Sequence, residues 1–254
     1  MTMQDKVLEY WNDRASLENK AGSDDLLAKQ LEIRALSKHI SNGMSVAEFG
    51  CGNGETAIQL FKQYEIDLDC FDYSPAMIDS AKINAQKNGL AEKILFQVCD
   101  VRTEPKLLKK YDRIYSERMI INLPDWNSQL KAIKFITNQL NKGGQYLMCE
   151  NSIQGLNKIN SLRVSVGLSE ITPPWHNLYI DDEALSKINI EGVTLKCVEP
   201  FSSTYYFLSR VVNAWLAERA GVKPAYDSPV NQLALELPEL GDFAQGKLWI
   251  FERN

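Results

Sequence analysis

Glu48, Gly50, Gly52 and Gly54 carry the first chemical signal in this 254-residue chain. They lie in Val46-Ala47-Glu48-Phe49-Gly50-Cys51-Gly52-Asn53-Gly54-Glu55-Thr56, which reads as a short apolar strand, an acid, three alternate glycines and a helix start. Glycines let the backbone turn sharply and let a ligand touch the main chain where a Cβ would collide. The helix expected over 55–63 presents free N–H groups to that ligand. A carboxylate at the strand's carboxyl end suits a ligand that carries a positive charge rather than a bare phosphate. A dinucleotide site would use G-x-G-x-x-G. Here the spacing is G-x-G-x-G, and Glu55 takes the place of the last dinucleotide glycine, where its charge would repel pyrophosphate. No Gly-Lys-Ser/Thr follows, which excludes a P-loop.

Further acids recur at strand ends. Residues 67–72 read as a second strand ending in Asp72, where a carboxylate can accept both hydroxyls of a ribose. Ser74-Pro75 then opens a helix, Ser as cap and Pro at the first position. Met77 follows within a turn, placed to rest against an adenine face. A third strand over 94–99 leads into Asp100-Val101, an acceptor for an adenine amino group and an apolar cover for the ring. A fourth strand over 112–116 ends at Glu117-Arg118, and a fifth over 145–150 follows the turn Asn141-Lys142-Gly143-Gly144.

These residues resemble the class I S-adenosylmethionine-dependent methyltransferases. The resemblance is carried by Glu48-Phe49-Gly50-Cys51-Gly52-Asn53-Gly54, Phe71-Asp72-Tyr73-Ser74-Pro75-Ala76-Met77, Cys99-Asp100-Val101 and the Lys142-Gly143-Gly144 turn, across residues 44–151. It implies an α/β fold with a seven-stranded, mostly parallel sheet, helices on both faces, and a last strand antiparallel between the fifth and sixth. It implies S-adenosylmethionine as cofactor and S-adenosylhomocysteine as product. Glu48, Gly50, Gly52 and Gly54 would hold the methionine end, Asp72 the ribose and Asp100 the adenine. Cys51, Tyr73, Met77, Val101 and Ser116 complete the expected cofactor set. An N-terminal segment folds over the cofactor in many small-molecule methyltransferases, and Tyr10-Trp11-Asn12-Asp13-Arg14 looks like that segment. Trp11 and Arg14 therefore join the set.

Helical spacing over 7–14 and 26–40 suggests an N-terminal helical cap, residues 1–41. The methyltransferase domain would occupy 42–254, with a turn-rich insertion at 152–180 and a second at 202–245 that together form an acceptor-binding lid. A helix is expected over 181–188, a strand over 193–199, a helix over 204–220 and the last strand over 247–252. Net charge is −5, from 28 basic and 33 acidic residues, with no Lys/Arg run. That balance disfavours nucleic acid, whose binding relies on neutralising phosphates. Five cysteines, an odd number without paired spacing, fit reduced thiols in a cytoplasmic protein. No apolar run approaches the roughly 20 residues of a membrane helix, and no signal peptide is evident.

The acceptor site is less sharply written. Of the two histidines, His39 lies on an apolar-spaced helix. His176 lies in Pro173-Pro174-Trp175-His176-Asn177-Leu178-Tyr179, a proline-stiffened aromatic loop, and is the candidate general base. Glu117 is its rival. Arg118, Trp175, Tyr179, Asn151, Tyr206 and Arg210 are candidate acceptor contacts. The segment after the fourth strand lacks the Asn/Asp-Pro-Pro-Tyr of nucleic-acid amino-methyltransferases and the Pro-Cys of cytosine C5 enzymes. No metal cluster or zinc spacing is found. The reading is a methyltransferase, monomer or homodimer, acting at oxygen of a small polar metabolite such as a sugar, nucleotide-sugar or natural-product intermediate. A protein methyltransferase and a non-catalytic cofactor-binding subunit are the alternatives.

Overall fold

A computed structural model describes residues 3–254, apart from the side chains of residues 18 and 19. The first two residues of the expected N-terminal cap lie outside the described residues. The strands are β1 (Ser45–Phe49), β2 (Asp67–Asp72), β3 (Leu95–Val98), β4 (Tyr111–Glu117), β5 (Leu140–Asn151), β6 (Val193–Glu199) and β7 (Gly246–Arg253). They form one sheet in the order β3-β2-β1-β4-β5-β7-β6. β1 to β5 pair in parallel, and β7 runs antiparallel to both β5 and β6, as the sequence led one to expect.

The central strands are apolar at nearly every position because both faces are covered. Val46, Leu68, Cys70, Tyr115, Leu147 and Cys149 pack on one face; Ala47, Phe49, Phe71, Ile114, Tyr146 and Met148 pack on the other. The chain adds β2 and β3 on one side of β1, and β4 and β5 on the other. The order therefore reverses between β1 and β4, and a crevice opens beyond their carboxyl ends, where ligands sit in sheets of this kind.

Helices α1 (Met3–Arg14), α2 (Leu26–Ser37), α3 (Glu55–Gln63) and α4 (Pro75–Lys87) fall near their expected positions, and α5 (Trp126–Thr137) connects β4 to β5. α4 begins as its Ser-Pro signal implies: Ser74 Oγ accepts from Met77 N at 3.1 Å. Three features differ. The segment after β5 is not only turns, since α6 (Ile153–Ser165) occupies it, capped by Ser152, whose Oγ accepts from Gly155 N at 2.9 Å. Its buried Leu156 and Ile159 have helical spacing, but the surrounding Asn, Ser and Gly masked it. The turn before β5 is absorbed into that strand as an irregularity: Tyr111 pairs with Leu140, and Arg113 with Gln145. After the short α7 (Asp182–Ser186), the helix expected over 204–220 is α8 (Ser203–Phe207), a π-turn (Leu208–Val212) and α9 (Asn213–Arg219). A one-turn α10 (Pro229–Leu233) follows. No described helix is long and apolar enough to cross a membrane.

Candidate functional site

The glycine loop after β1 is hooked over β2. Gly50 N and Cys51 N both donate to Phe71 O, at 2.7 and 3.0 Å. Gly50 adopts φ +77, and a Cβ there would meet Met119 Cγ at 2.4 Å, so no side chain fits without moving the loop after β4. Gly54 has a different role from the cofactor contact expected of it. It caps α3 at φ +76 with its α-carbon turned toward Phe96 and Ala81, and it does not line the cavity.

The cavity lies at the β1/β4 switch point, beyond the carboxyl ends of the central strands, where ligands sit in sheets of this kind. Glu48, Gly50, Cys51, Gly52, Asp72, Tyr73, Met77, Asp100 and Val101 line it, which brings most of the predicted cofactor set together. Glu48 is buried and accepts from the Tyr115 hydroxyl at 3.0 Å. Burial pushes its pKa up to about 8, so an adjacent positive charge would restore its ionised form. Asp72 accepts from Gly52 N and Ser74 N, both at 2.9 Å, and so ties the glycine loop to the start of α4. Burial raises it to about 6. A carboxylate has about four acceptor sites, so Asp72 retains capacity for a ligand's hydroxyls.

Asp100 differs. The Arg102 guanidinium and Arg102 N occupy both its oxygens at 2.6–3.0 Å. Burial would raise Asp100, but the Arg102 hydrogen bonds outweigh it and hold the carboxyl below its ordinary range. The same guanidinium lies 5.5 Å from the Tyr73 ring centre.

At the β4 end, Glu117 sits in a buried charge cluster. Lys29 Nζ donates to Glu117 Oε1, and Thr56 Oγ1 donates to Oε2 at 2.8 Å. Arg118 places Nη2 3.5 Å from Glu117 and Nε 3.2 Å from Glu32. Burial would raise Glu117; Lys29 foremost, then Glu32 and Arg118, overcome it and hold the pKa down to about 2. Glu150, ending β5, accepts from Met119 N at 3.0 Å, Ile120 N at 2.9 Å and Ile121 N at 3.4 Å. It therefore shapes the loop after β4, whose Met119, Asn122 and Leu123 line the cavity.

Gln4, Val7 and Trp11 of α1, with Gly22 and Ser23, form the remaining wall. Several predicted contacts lie elsewhere. Arg14 donates to Ala21 O at 2.7 Å and fixes the turn after α1. Ser116 is fully buried beneath the cavity, 2.7 Å from the Tyr146 hydroxyl. His176, the expected base, does not line the cavity: its ring lies tilted 4.4 Å from that of Tyr10 and meets Trp11 at 5.7 Å, and Trp11 is the ring that reaches the lining. Trp175 lies outward in the same aromatic group, 5.8 Å from Tyr10. Tyr179 takes a 3.3 Å hydrogen bond from Gln245, and Asn151 is buried at the end of β5. Arg210 pairs at 2.6 Å with Asp25, the residue that caps α2, and lies 5.0 Å from the Tyr206 ring. Of the candidate acceptor contacts, Arg118 alone is among the lining residues; none comes from 152–180 or 202–245.

Sequence reasoning missed Lys29, Arg102, Asn122 and the N-terminal Gln4 and Val7. Arg102 could have been found, since it follows Asp100 by two residues and competes for it. Lys29 had no such signal; only the rotation of α2 turns it inward.

Residues 40–171 match the family model described as a methyltransferase domain. Among curated relatives, the methyltransferase GfsG of Streptomyces halstedii is 23% identical over 146 residues, covering 58% of this chain and 50% of the relative. The 27-O-demethylrifamycin SV methyltransferase of Amycolatopsis mediterranei is 24% identical over 130 residues, covering 50% and 45%. The chain spans about half the length of the curated relatives it matches. Among solved structures, magnesium protoporphyrin IX methyltransferase from Synechocystis with bound S-adenosylhomocysteine superposes with a TM-score of 0.64 at 14% identity, covering 99% of this chain and 100% of that one. A putative sarcosine dimethylglycine methyltransferase from Galdieria sulphuraria gives 0.54 at 19% identity, covering 90% and 84%. At these identities the structures share the fold.

Proposed function

Since the chain belongs to the class I S-adenosylmethionine-dependent methyltransferases, we propose that it binds S-adenosylmethionine and methylates an oxygen of a small polar metabolite. The observation that carries this is the ring of Glu48, Asp72 and the glycine loop around one crevice at the β1/β4 switch point. When bound, the cofactor supplies an electrophilic methyl group on a positively charged sulfur. Glu48 faces the cofactor's positive amino-acid end, Asp72 takes the ribose hydroxyls, and Met77 and Val101 cover the adenine. Asp100 accepts the adenine amino group by giving up part of its Arg102 contact.

α1 closes the crevice with Val7 and Trp11, excluding water, and alignment supplies much of the rate in such a displacement. A walled crevice favours a small acceptor over a protein side chain. The relative named for O-methylation of a rifamycin supports a natural-product acceptor. The segments 152–180 and 202–245 serve this site as buttresses for α1 and α2.

Calorimetry tests the cofactor assignment. S-adenosylmethionine and S-adenosylhomocysteine are expected to bind and NAD is not; the reverse result would overturn the reading. Transfer of a labelled methyl group into acceptor pools then identifies the substrate.

His176 separates two mechanisms. Burial, and then Arg14, lower its pKa below the ordinary value of 6.5, so it is neutral at pH 7. As a general base it would lose roughly 10²–10⁴-fold in turnover on substitution with cofactor affinity intact, and the rate would rise with pH through that lowered pKa. Its packing against Tyr10 and Trp11 leads to the other expectation. His176→Ala should weaken cofactor binding by loosening α1, with turnover at saturating cofactor down by less than about tenfold. Stopped turnover with unchanged affinity would restore His176 as the base.

A further inference from the structure

The cavity wall is strongly acidic, and its cations are mostly committed. Five carboxylates line it: Glu48, Glu55, Asp72, Asp100 and Glu117. Against them stand Lys29, Arg102 and Arg118. Arg102 is spent on both oxygens of Asp100. Arg118 reaches Glu32 and Glu117, and its Nη1 donates to Gly22 O at 3.3 Å. Lys29 has three N–H donors, and among the described residues one of them is engaged, by Glu117.

Its placement is deliberate in physical terms. The Lys29 side chain is only 15% exposed, on the second turn of α2. α2 is held at its start by Asp25, which accepts from Ala28 N at 3.0 Å and pairs with Arg210. Tyr205 donates its hydroxyl to the same carboxylate. The second insertion thus fixes the helix that aims Lys29 at the cavity. A buried ion pair is poor value as a stabiliser, because desolvation cancels most of its attraction. Lys29 also stays charged: burial disfavours the ammonium, yet Glu117 more than compensates and its pKa is raised. It lies close enough to Glu48 to be the chief attraction acting on that carboxylate.

We propose that Lys29 binds the carboxylate of the cofactor's amino-acid end. The inference rests on the reading of the crevice as an S-adenosylmethionine site. The amino-acid end carries an ammonium and a carboxylate on one carbon. With the ammonium at Glu48, the carboxylate lies within reach of a neighbouring cation, and Lys29 is the lining cation that acts most strongly on Glu48, whereas Arg102 faces Asp100 and Arg118 faces Glu32 and Glu117. Charges then alternate along the row Arg118, Glu117, Lys29 and ligand carboxylate. Lys29 is on this account a specificity residue: it distinguishes the intact cofactor from nucleosides that lack the amino-acid end.

The test compares S-adenosylhomocysteine with its decarboxylated analogue, which keeps the amine and lacks only the carboxylate. By calorimetry the unaltered chain should bind S-adenosylhomocysteine at least about tenfold more tightly than the analogue. Lys29→Met should weaken S-adenosylhomocysteine about 10- to 100-fold and leave the analogue within about threefold, so that the preference disappears. Binding of the analogue shows that the variant's site is folded. Lys29→Gln, which keeps an N–H toward Glu117, carries the same comparison if Met unfolds the chain, and Lys29→Arg should recover part of the preference. Equal losses for both ligands, or an undiminished preference in the variants, would overturn the proposal and leave Lys29 as a structural partner of Glu117. Failure of the unaltered chain to bind either ligand would instead remove the cofactor reading itself.

Discussion

Asp72→Ala is expected to weaken S-adenosylhomocysteine binding by at least about 100-fold. Two hydrogen bonds from ribose hydroxyls to a carboxylate contribute roughly 1.5–3 kcal/mol each, and about 1.4 kcal/mol is a factor of ten. The structure adds a second loss. Asp72 also receives Gly52 N and Ser74 N, so its removal frees the glycine loop that shapes the methionine end. Asp72→Asn keeps an acceptor for one of those N–H groups and should lie between the parent and Ala. Because burial raises Asp72 to about 6, its charged form is lost as pH falls through that value in the free protein. The Asp72 contribution should therefore climb with pH between about 5 and 7 and then level, and Glu48, raised to about 8, governs the further rise above that range. Calorimetry over that range decides the matter; an Asp72→Ala chain within threefold of the parent would show that the ribose lies elsewhere.

Glu117→Gln is expected to be the most damaging single change to stability at the site. It leaves Lys29 and Arg118 buried with much of their counter-charge gone, and breaking a buried ion cluster from one side costs roughly 3–5 kcal/mol. For a chain of this size, each kcal/mol moves the melting midpoint by about 2–4 °C, so a fall of about 6–20 °C is expected. The sign of the pH dependence follows from the carboxyl's depressed pKa of about 2. An acid lowered on folding stabilises the fold above its unfolded pKa near 4.5, and that contribution is lost as pH falls toward 2. The gap between parent and variant should be full at pH 6 and shrink in acid. Thermal melts at several pH values measure it, and a variant as stable as the parent at pH 6 would refute the cluster's coherence. A group ionised throughout pH 5–9 also imprints no titration on the rate. Any loss of turnover in this variant should appear without a change in the shape of the pH profile.

What could be read in the sequence was whatever depends on neighbours along the chain. Glu48 at the end of β1, the glycines after it, Asp72 at the end of β2 and Asp100 after β3 are positioned by local rules: strand ends, left-handed turns and helix caps. Parallel strands in neighbouring register carry such ends to one edge of the sheet, so predicting the strands was enough to gather those residues. α6 escaped because a helix rich in Asn, Ser and Gly is favoured by its packing more than by its composition.

The other side of the crevice was decided by tertiary structure. Lys29 meets Glu117 across 88 residues of chain, and Arg210 meets Asp25 across 185. Such contacts depend on the rotation of α2 about its axis and on where the second insertion packs, and neither leaves a periodic trace. His176 illustrates the same limit in reverse. Residue type and a rigid aromatic loop suggested a base, and the packing of Tyr10 and Trp11 from α1 against its ring left no trace in the local sequence. The chain's own order thus determined the family, the sheet and the acids at the strand ends that line the crevice, because these follow from backbone conformation. The partners of the long charged side chains, and with them which cations line the crevice, were settled only by packing between distant elements.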